Sequence, residues 1–518
     1  MKIKNIISAW LVTGIAGILF YSCSDYLDIN SNPNYPTEST LETLLPSAGA
    51  TTIAQIGLNG DLLGALWMQH ATQGNSTNQY NSAANYSINV SSYNGFWTNA
   101  YANTLPDLKI LLGMAEEKSA WNYWVIAKVL TAFNYHFLTD LYGDIPFTEA
   151  LQAKEFPAPK YDDSKTVVYP GIIAMLDEAI AKEADAKSGN NPILSKEDFF
   201  FNGNINNWIA FAKTLKLKLL MRDFEANKSQ ISSMLDAGGF LQVDCAMTAF
   251  EDAIDKGNPL YEYNIRQMNT VENMRACHTF TEFLITMDDP RIERFYEVTN
   301  YARQQMADGN EVTAREIFGG LPCGTKPSTV EGDEDAVPLI KSSRFLQSYS
   351  DPAYIMNNAE VEFIQSEAYA RLGNAEKAKT TYDDGVTKAF GRWGYDASSF
   401  IASDGVYAFD NSSLDKMLKC ILTQKWVASA KANSWDAFFD RNRTGIPEIS
   451  SADKVRVSNI DPGLTPGYEL GTLVAPGSTE LQMNEFPRRM LVPQVSSANN
   501  INAPVTKNLT DPMWWHKN

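Results

Sequence analysis

Residues Ala359–Val386, AEVEFIQSEAYARLGNAEKAKTTYDDGV, constrain the fold more than any other stretch of this chain. Ile364, Ala368 and Leu372 recur at four-residue steps with Phe363 beside them. That is the period of a helix, and it gives one apolar stripe about three turns long, flanked by Glu360, Glu362, Glu367 and Arg371. Gly373-Asn374 stops the helix. A second stripe of Ala378, Tyr382 and Val386 follows, so two helices can close on each other as an antiparallel pair across a short turn.

The spacing resembles a tetratricopeptide helical hairpin. Ser366, Tyr369, Gly373, Ala378, Tyr382 and Gly385 stand at its small, aromatic, turn, small, aromatic and small positions. One such unit cannot bury its own apolar face, so helical neighbours are expected on either side.

At the other end of the chain, residues 1–22 read as a targeting segment. Lys2 and Lys4 form a basic start, Ile6–Tyr21 is apolar but short for a span, and Ser22 precedes Cys23 with Leu19 four places before it. This is similar to a bacterial lipoprotein cleavage site, with Cys23 as the acylated residue; an ordinary signal peptide with an incidental cysteine is the alternative. No later stretch is long and apolar enough to cross a bilayer, so anchoring through Cys23 is expected and spanning is not.

Without Lys2 and Lys4 the balance is 41 basic against 61 acidic side chains, a net charge of −20. Such a surface repels nucleic acid and anionic headgroups. Length allows two to four domains, yet composition marks no linker. Cys245, Cys277, Cys323 and Cys420 are too sparse for a disulfide framework and lack C-x-x-C spacing, so buried free thiols are expected. Four histidines leave little room for a metal site, and no cofactor is expected.

A helical pattern between Leu41 and Thr72 runs into a polar stretch. Residues 73–103 carry eight asparagines, Asn78 among them, interleaved with Tyr80, Tyr86, Tyr93, Phe96 and Trp97. This favours loops and turns. It also suits a sugar site, where an aromatic ring covers the apolar face of a pyranose and an amide serves its hydroxyls. Trp97 and Tyr101, four apart before a helix, are expected to be core anchors, whereas Tyr80, Tyr86 and Tyr93 are the candidates for ligand.

Helices are expected over Ala120–Tyr142, which is apolar on more than one face, Val168–Ala184, Trp208–Arg222 and Leu414–Ala432. His136 reads as a core histidine. From about Gly238 to Tyr349 the helical rhythm breaks down into a second possible ligand surface, with Tyr261 and Tyr263 as its aromatic candidates. Gly319–Lys326 approaches a phosphate loop, but Thr325-Lys326 reverses the required order and Pro327 opposes a following helix. A loop-rich tail ends in Pro512-Met513-Trp514-Trp515.

Together these segments resemble the SusD/RagB family of outer-membrane nutrient-binding lipoproteins, in its second, more divergent starch-binding-like subgroup. The resemblance rests on the lipoprotein start, Leu138–Phe147 (LTDLYGDIPF), Asn207–Leu217 (NWIAFAKTLKL), Asp289-Pro290-Arg291, Glu360–Ile364 leading to Glu367-Ala368, Gln424-Lys425-Trp426 and Arg441–Pro447 (RNRTGIP). Asn442 and Val492 depart from its pattern. The resemblance implies a mainly α fold over 23–518 as one domain, with about four tetratricopeptide-like hairpins supporting an irregular, loop-rich ligand face. It implies a glycan-binding lid over a SusC-like TonB-dependent transporter at the cell surface, with binding and no catalysis. Peptide capture, a protein-binding scaffold and a glycoside hydrolase are the alternatives; H-E-x-x-H, G-x-S-x-G and G-x-G-x-x-G are absent from the sequence.

Overall fold

The computed structural model describes residues 39–324, 339–450, 468–476, 481, 485–505 and 507–517. The leader, Cys23 and residues 325–338 of the Gly- and Pro-rich loop lie outside the described residues. Helix α1 (Leu41–Ala54) passes through a π-helical turn at Gln55–Gly60 into α2 (Asp61–Trp67). There follow α3 (Leu105–Glu117), α4 (Trp121–Tyr142), α5 (Tyr169–Ala181), α6 (Ile205–Leu220) and α7 (Phe224–Ala237). Then come α8 (His278–Thr286), α9 (Asn300–Ala307), α10 (Asn358–Arg371), α11 (Ala375–Gly391), α12 (Leu414–Ser429) and α13 (Ser434–Thr444). Short strands β1 (Ala71–Gln73), β2 (Cys245–Met247), β3 (Met274–Ala276) and β4 (Ala353–Met356) pair antiparallel, β1 with β3 and β2 with β4.

The α10–α11 hairpin forms as its spacing requires. Asn357 caps α10 by accepting from the Glu360 amide at 2.9 Å. Gly373 takes a left-handed φ of 80°, and Asn374 caps α11 by accepting from the Lys377 amide at 3.1 Å. At the small positions, Ser366 Oγ donates to the Ala378 carbonyl at 2.7 Å, and a Cβ on Gly385 would stand 2.8 Å from the Phe363 ring. Gly385→Ala therefore sets a propensity gain of about 1 kcal/mol against overpacking of about 1–3 kcal/mol. A net loss of about 1 kcal/mol is expected. A urea titration checks it, and a more stable variant would mean that Phe363 yields freely.

Sequence-adjacent helices pair in the same way elsewhere, α3 with α4 and α4 with α5, in keeping with tetratricopeptide-like hairpins. Helix α4 lies in the middle of the core: Phe133 and Phe137 meet Trp435 and Phe439 of α13 edge-on, at 5.2–6.0 Å between ring centres. It ends where expected, at Gly143 with φ 81°. Helix α13 is a correction to the loop-rich tail expected after Ala432. Its apolar run, Trp435, Phe438 and Phe439, is short and crowded by Asp436, Asp440, Arg441 and Arg443. Helices α8 and α9 likewise interrupt the stretch expected to be irregular.

The charges flanking the α10 stripe are not on a solvent face. Glu360, Glu362 and Glu367 are 1%, 6% and 2% exposed, and Lys218 on α6 is 3% exposed. Lys218 Nζ lies 2.8 Å from Glu360 Oε1 and also pairs with Asp436. Lys425 Nζ pairs with Asp440 and lies 3.3 Å from Asp436 and 3.8 Å from Glu360. Arg443 grips Glu367 with two bonds of 2.6 Å and donates to Asp440 at 2.9 Å, while Arg222 reaches Asp140 at 2.5 Å. His136 Nε2, 3.0 Å from Asp140, is held neutral chiefly by burial. This ionic lattice joins α4, α6, α10, α12 and α13, and the sequence blocks on which the family resemblance rests supply Asp140, Glu360, Glu367, Lys425 and Arg443 of it.

Candidate functional site

The loop after β1 is shaped by one amide. Gln73 accepts from the Tyr80 backbone at 2.5 Å and donates to Thr77 Oγ1 at 2.5 Å, folding residues 74–80 back on the strand. The Tyr80 hydroxyl then donates to Asn264 Oδ1 at 2.9 Å. Asn264 is fully buried and serves as a hub: Asn273 donates to it at 3.3 Å, and its own amide donates to Gln347 at 3.0 Å. The β1–β3 pairing, with Gln73 opposite Met274, carries these two distant loops to the same place.

Tyr263 and Tyr93 join them. Burial raises the phenol pKa of Tyr80, and the neighbouring Tyr263 and Tyr93 raise it further; burial and Tyr263 do the same for Tyr93. Tyr93 stacks on Phe96 at 6.3 Å with an interplanar angle of 28°. Tyr93 and Tyr263 are half-buried, so the cluster offers two partly open rings; Asn78, two positions before Tyr80, is exposed.

Not every candidate reaches this surface. Tyr86 is 4% exposed and packs edge-on against Trp67 and Phe486, at 6.4 and 5.6 Å. An open ring was the expectation there; instead the left-handed backbone of Tyr86, φ 59° directly after the one-turn helix Asn81–Ala84, goes with a ring set in the core. Tyr80 is also 4% exposed, a correction to its expected role as an open ring: its hydroxyl is turned inward to the fully buried Asn264. Tyr261 lies apart from the cluster, beside Tyr349 at 6.3 Å and beneath the Arg266 guanidinium at 5.5 Å. Trp97 and Tyr101 are core anchors as expected, with rings 4.7 Å apart.

The residues that sequence reasoning passed over are Gln73, Asn264, Asn273 and Gln347. Asn264 follows Tyr263 directly, and a polar residue next to a singled-out aromatic was the available signal. Gln347 also lines a cleft of about 430 Å³ beside Trp393, Arg294 and Ser348. Among the described residues no group of three or more His, Cys, Asp or Glu could hold a metal ion, and no helix is long and apolar enough to cross a membrane. Glu360 and Asp436, in hydrogen-bond contact within the lattice, are 1% and 2% exposed and face no ligand surface.

Residues 33–461 match the sequence profile of the SusD-like family described as starch-binding and associating with the outer membrane. No curated protein matches the chain. Among solved structures, a SusD homologue from Bacteroides fragilis is similar at 20% identity and a TM-score of 0.67, over 92% of this chain and 99% of its own. One from Bacteroides ovatus is similar at 18% identity and a TM-score of 0.69, over 92% and 98%. A chitin-binding protein is similar at 19% identity and a TM-score of 0.68, over 92% and 100%.

Proposed function

This chain belongs to the SusD/RagB family of binding proteins that associate with the outer membrane, and from that premise we propose that it captures an oligosaccharide at the cell surface. The observation that carries this reading is the convergence of Tyr93 and Tyr263 beside the Tyr80–Asn264 bond, from loops far apart in sequence. Two ring faces can cover the apolar faces of sugar rings, while Asn78 and the phenol hydroxyls exchange hydrogen bonds with their hydroxyl groups. Aromatic rings and amides gathered in this way suit an uncharged glycan. A similar fold in a chitin-binding protein accords with this.

The working unit runs from Cys23 to the end of the chain, held to the membrane by a lipid on Cys23 and seated over a SusC-like TonB-dependent transporter as its lid. A panel of neutral oligosaccharides and peptides, followed by calorimetry and chromatography, tests the binding. Retention of one neutral glycan, returned uncleaved, is expected. Retention of peptides alone would reassign the ligand, and time-dependent cleavage would make the protein a hydrolase.

Cys23→Ala is expected to abolish lipid attachment, because no other residue near the leader's end can carry the acyl thioether. Metabolic labelling with an alkyne fatty acid reads this directly. A variant that still takes up label and stays with the outer membrane would rule out the anchor.

A further inference from the structure

We infer that Cys277 and Cys323 close a disulfide when the chain folds outside the reducing cytoplasm, pinning the segment that backs the tyrosine cluster. The two thiols lie in hydrogen-bond contact and share one small apolar cluster with Tyr468 and Val474. Their backbones are held together independently of the sulfurs. Leu321 bridges Cys277 in parallel, the Leu321 amide donating to Ala276 and the His278 amide to Leu321, both at 2.8 Å. Cys323 follows two residues later.

The two sulfurs are chemically unequal. Cys277 is the N-cap residue of α8, a nine-residue helix. Burial acts to raise its thiol pKa but is outweighed by hydrogen bonds from Cys323, the Thr279 hydroxyl and the amides of Thr279 and His278, so it falls below the ordinary value. Cys323 is pushed up by the same thiol–thiol bond and by burial. During folding, before these burial and capping effects are in place, the thiolate of either cysteine displaces one thiolate from a small-molecule or protein disulfide and forms a mixed disulfide; the other cysteine, losing its proton, attacks that cysteine's sulfur and expels the second thiol. Two electrons and two protons pass from the cysteine pair to the oxidising disulfide. Exchange takes place during folding, before the pair is enclosed at 0% and 3% exposure.

Neither remaining described cysteine has such a partner. Cys245 is buried in β2, and Cys420 on α12 contacts the Asp410 amide at 3.5 Å and the Ala408 carbonyl at 4.0 Å. The bond's place gives it a bearing on the site. Directly after Cys323, the Gly324 amide donates to Thr72 Oγ1 at 3.1 Å, and a Cβ on Gly324 would stand 2.4 Å from Asn85 Oδ1. A disulfide at Cys323 thus fixes the chain against both ends of the loop that carries Asn78 and Tyr80.

The test refolds the purified chain in a glutathione redox buffer, traps thiols with iodoacetamide in denaturant without reduction, and maps the peptides by mass spectrometry. One linked peptide pair joining Cys277 and Cys323 is expected, with Cys245 and Cys420 alkylated. The Cys277→Ser, Cys323→Ser double variant should melt at one temperature with and without reductant, whereas the wild type, refolded in reductant, should melt several degrees lower than its oxidised form. Alkylation of both Cys277 and Cys323 in the oxidised wild type overturns the proposal. Because the refolding is done in vitro, that result leaves the surface-binding function untouched.

Discussion

Lys425→Met is expected to destabilise the fold by about 3–5 kcal/mol, because it strands Asp436 and Asp440 as buried charges with one cation fewer between them. Glu360→Gln, one contact away, is expected to do the opposite above neutrality. Burial and the Asp436 carboxylate push the Glu360 pKa up to about 7, against the pull of Lys218 and Lys425, while those two cations outweigh burial and hold Asp436 well below its ordinary value. The pair keeps one proton, and Lys218 and Lys425 then balance Asp436 and Asp440. Between an unfolded value of 4.5 and the folded value of about 7, the unfolded chain has released the Glu360 proton and the native chain has not, so this group's contribution to stability falls as pH rises through that window. Asp140 and Glu367, whose pKa values the arginines beside them depress against burial, act with the other sign: their stabilisation is present above the ordinary carboxyl range and is lost as pH falls below it. Urea melts of wild type, Lys425→Met and Glu360→Gln at pH 5 and pH 8 separate the groups. A glutamine variant as weak as Lys425→Met at pH 8 would show that Lys218 and Lys425 stabilise the Glu360 carboxylate outright and that its pKa is not raised.

Tyr263→Ala is expected to weaken glycan binding by about 2 kcal/mol or more, roughly thirtyfold, and to lower the melting temperature less than Tyr86→Ala does, because its ring packs against the core from a half-open position. Tyr93→Ala should act in the same direction. Tyr86→Ala is the contrasting control: its ring is packed between Trp67 and Phe486, and emptying that site should cost the fold about 3–5 kcal/mol. The measurement is a melting temperature and an affinity for each variant. Unchanged affinity in both Tyr263→Ala and Tyr93→Ala would move the ligand to another surface, with the Trp393 cleft next to be probed.

What could be read in the sequence was what neighbouring residues decide among themselves. Gly373-Asn374 between two apolar stripes, and Ser366, Ala378 and Gly385 at the close approaches, settle the α10–α11 hairpin locally, and it forms as read. Gly143 stops α4 for an equally local reason. The lattice could not be read in that way. A glutamate beside an apolar stripe looks like a solvent border unless its cation is known, and Lys218 lies 142 positions before Glu360. For the same reason α13 was hidden, since the charges that interrupt its apolar run are lattice members. In the candidate site, both tyrosine loops could be picked out by composition, but ring direction could not. Tyr86 and Tyr93 share a left-handed backbone, φ 59° and 56°, yet one ring is buried and the other half-open, and Tyr80 is placed by Asn264, 184 positions away.

The lattice also sets an order of events for a chain that emerges from its N-terminus. Asp140 and Arg222 can meet early, but Lys218 has to wait for Glu360 and Asp436, and Glu367 for Arg443. Until α12 and α13 have appeared, the helices of the first half carry ions best satisfied by water, and loop closure over such separations is slow. The first two-thirds of the chain therefore cannot settle into its final packing by itself.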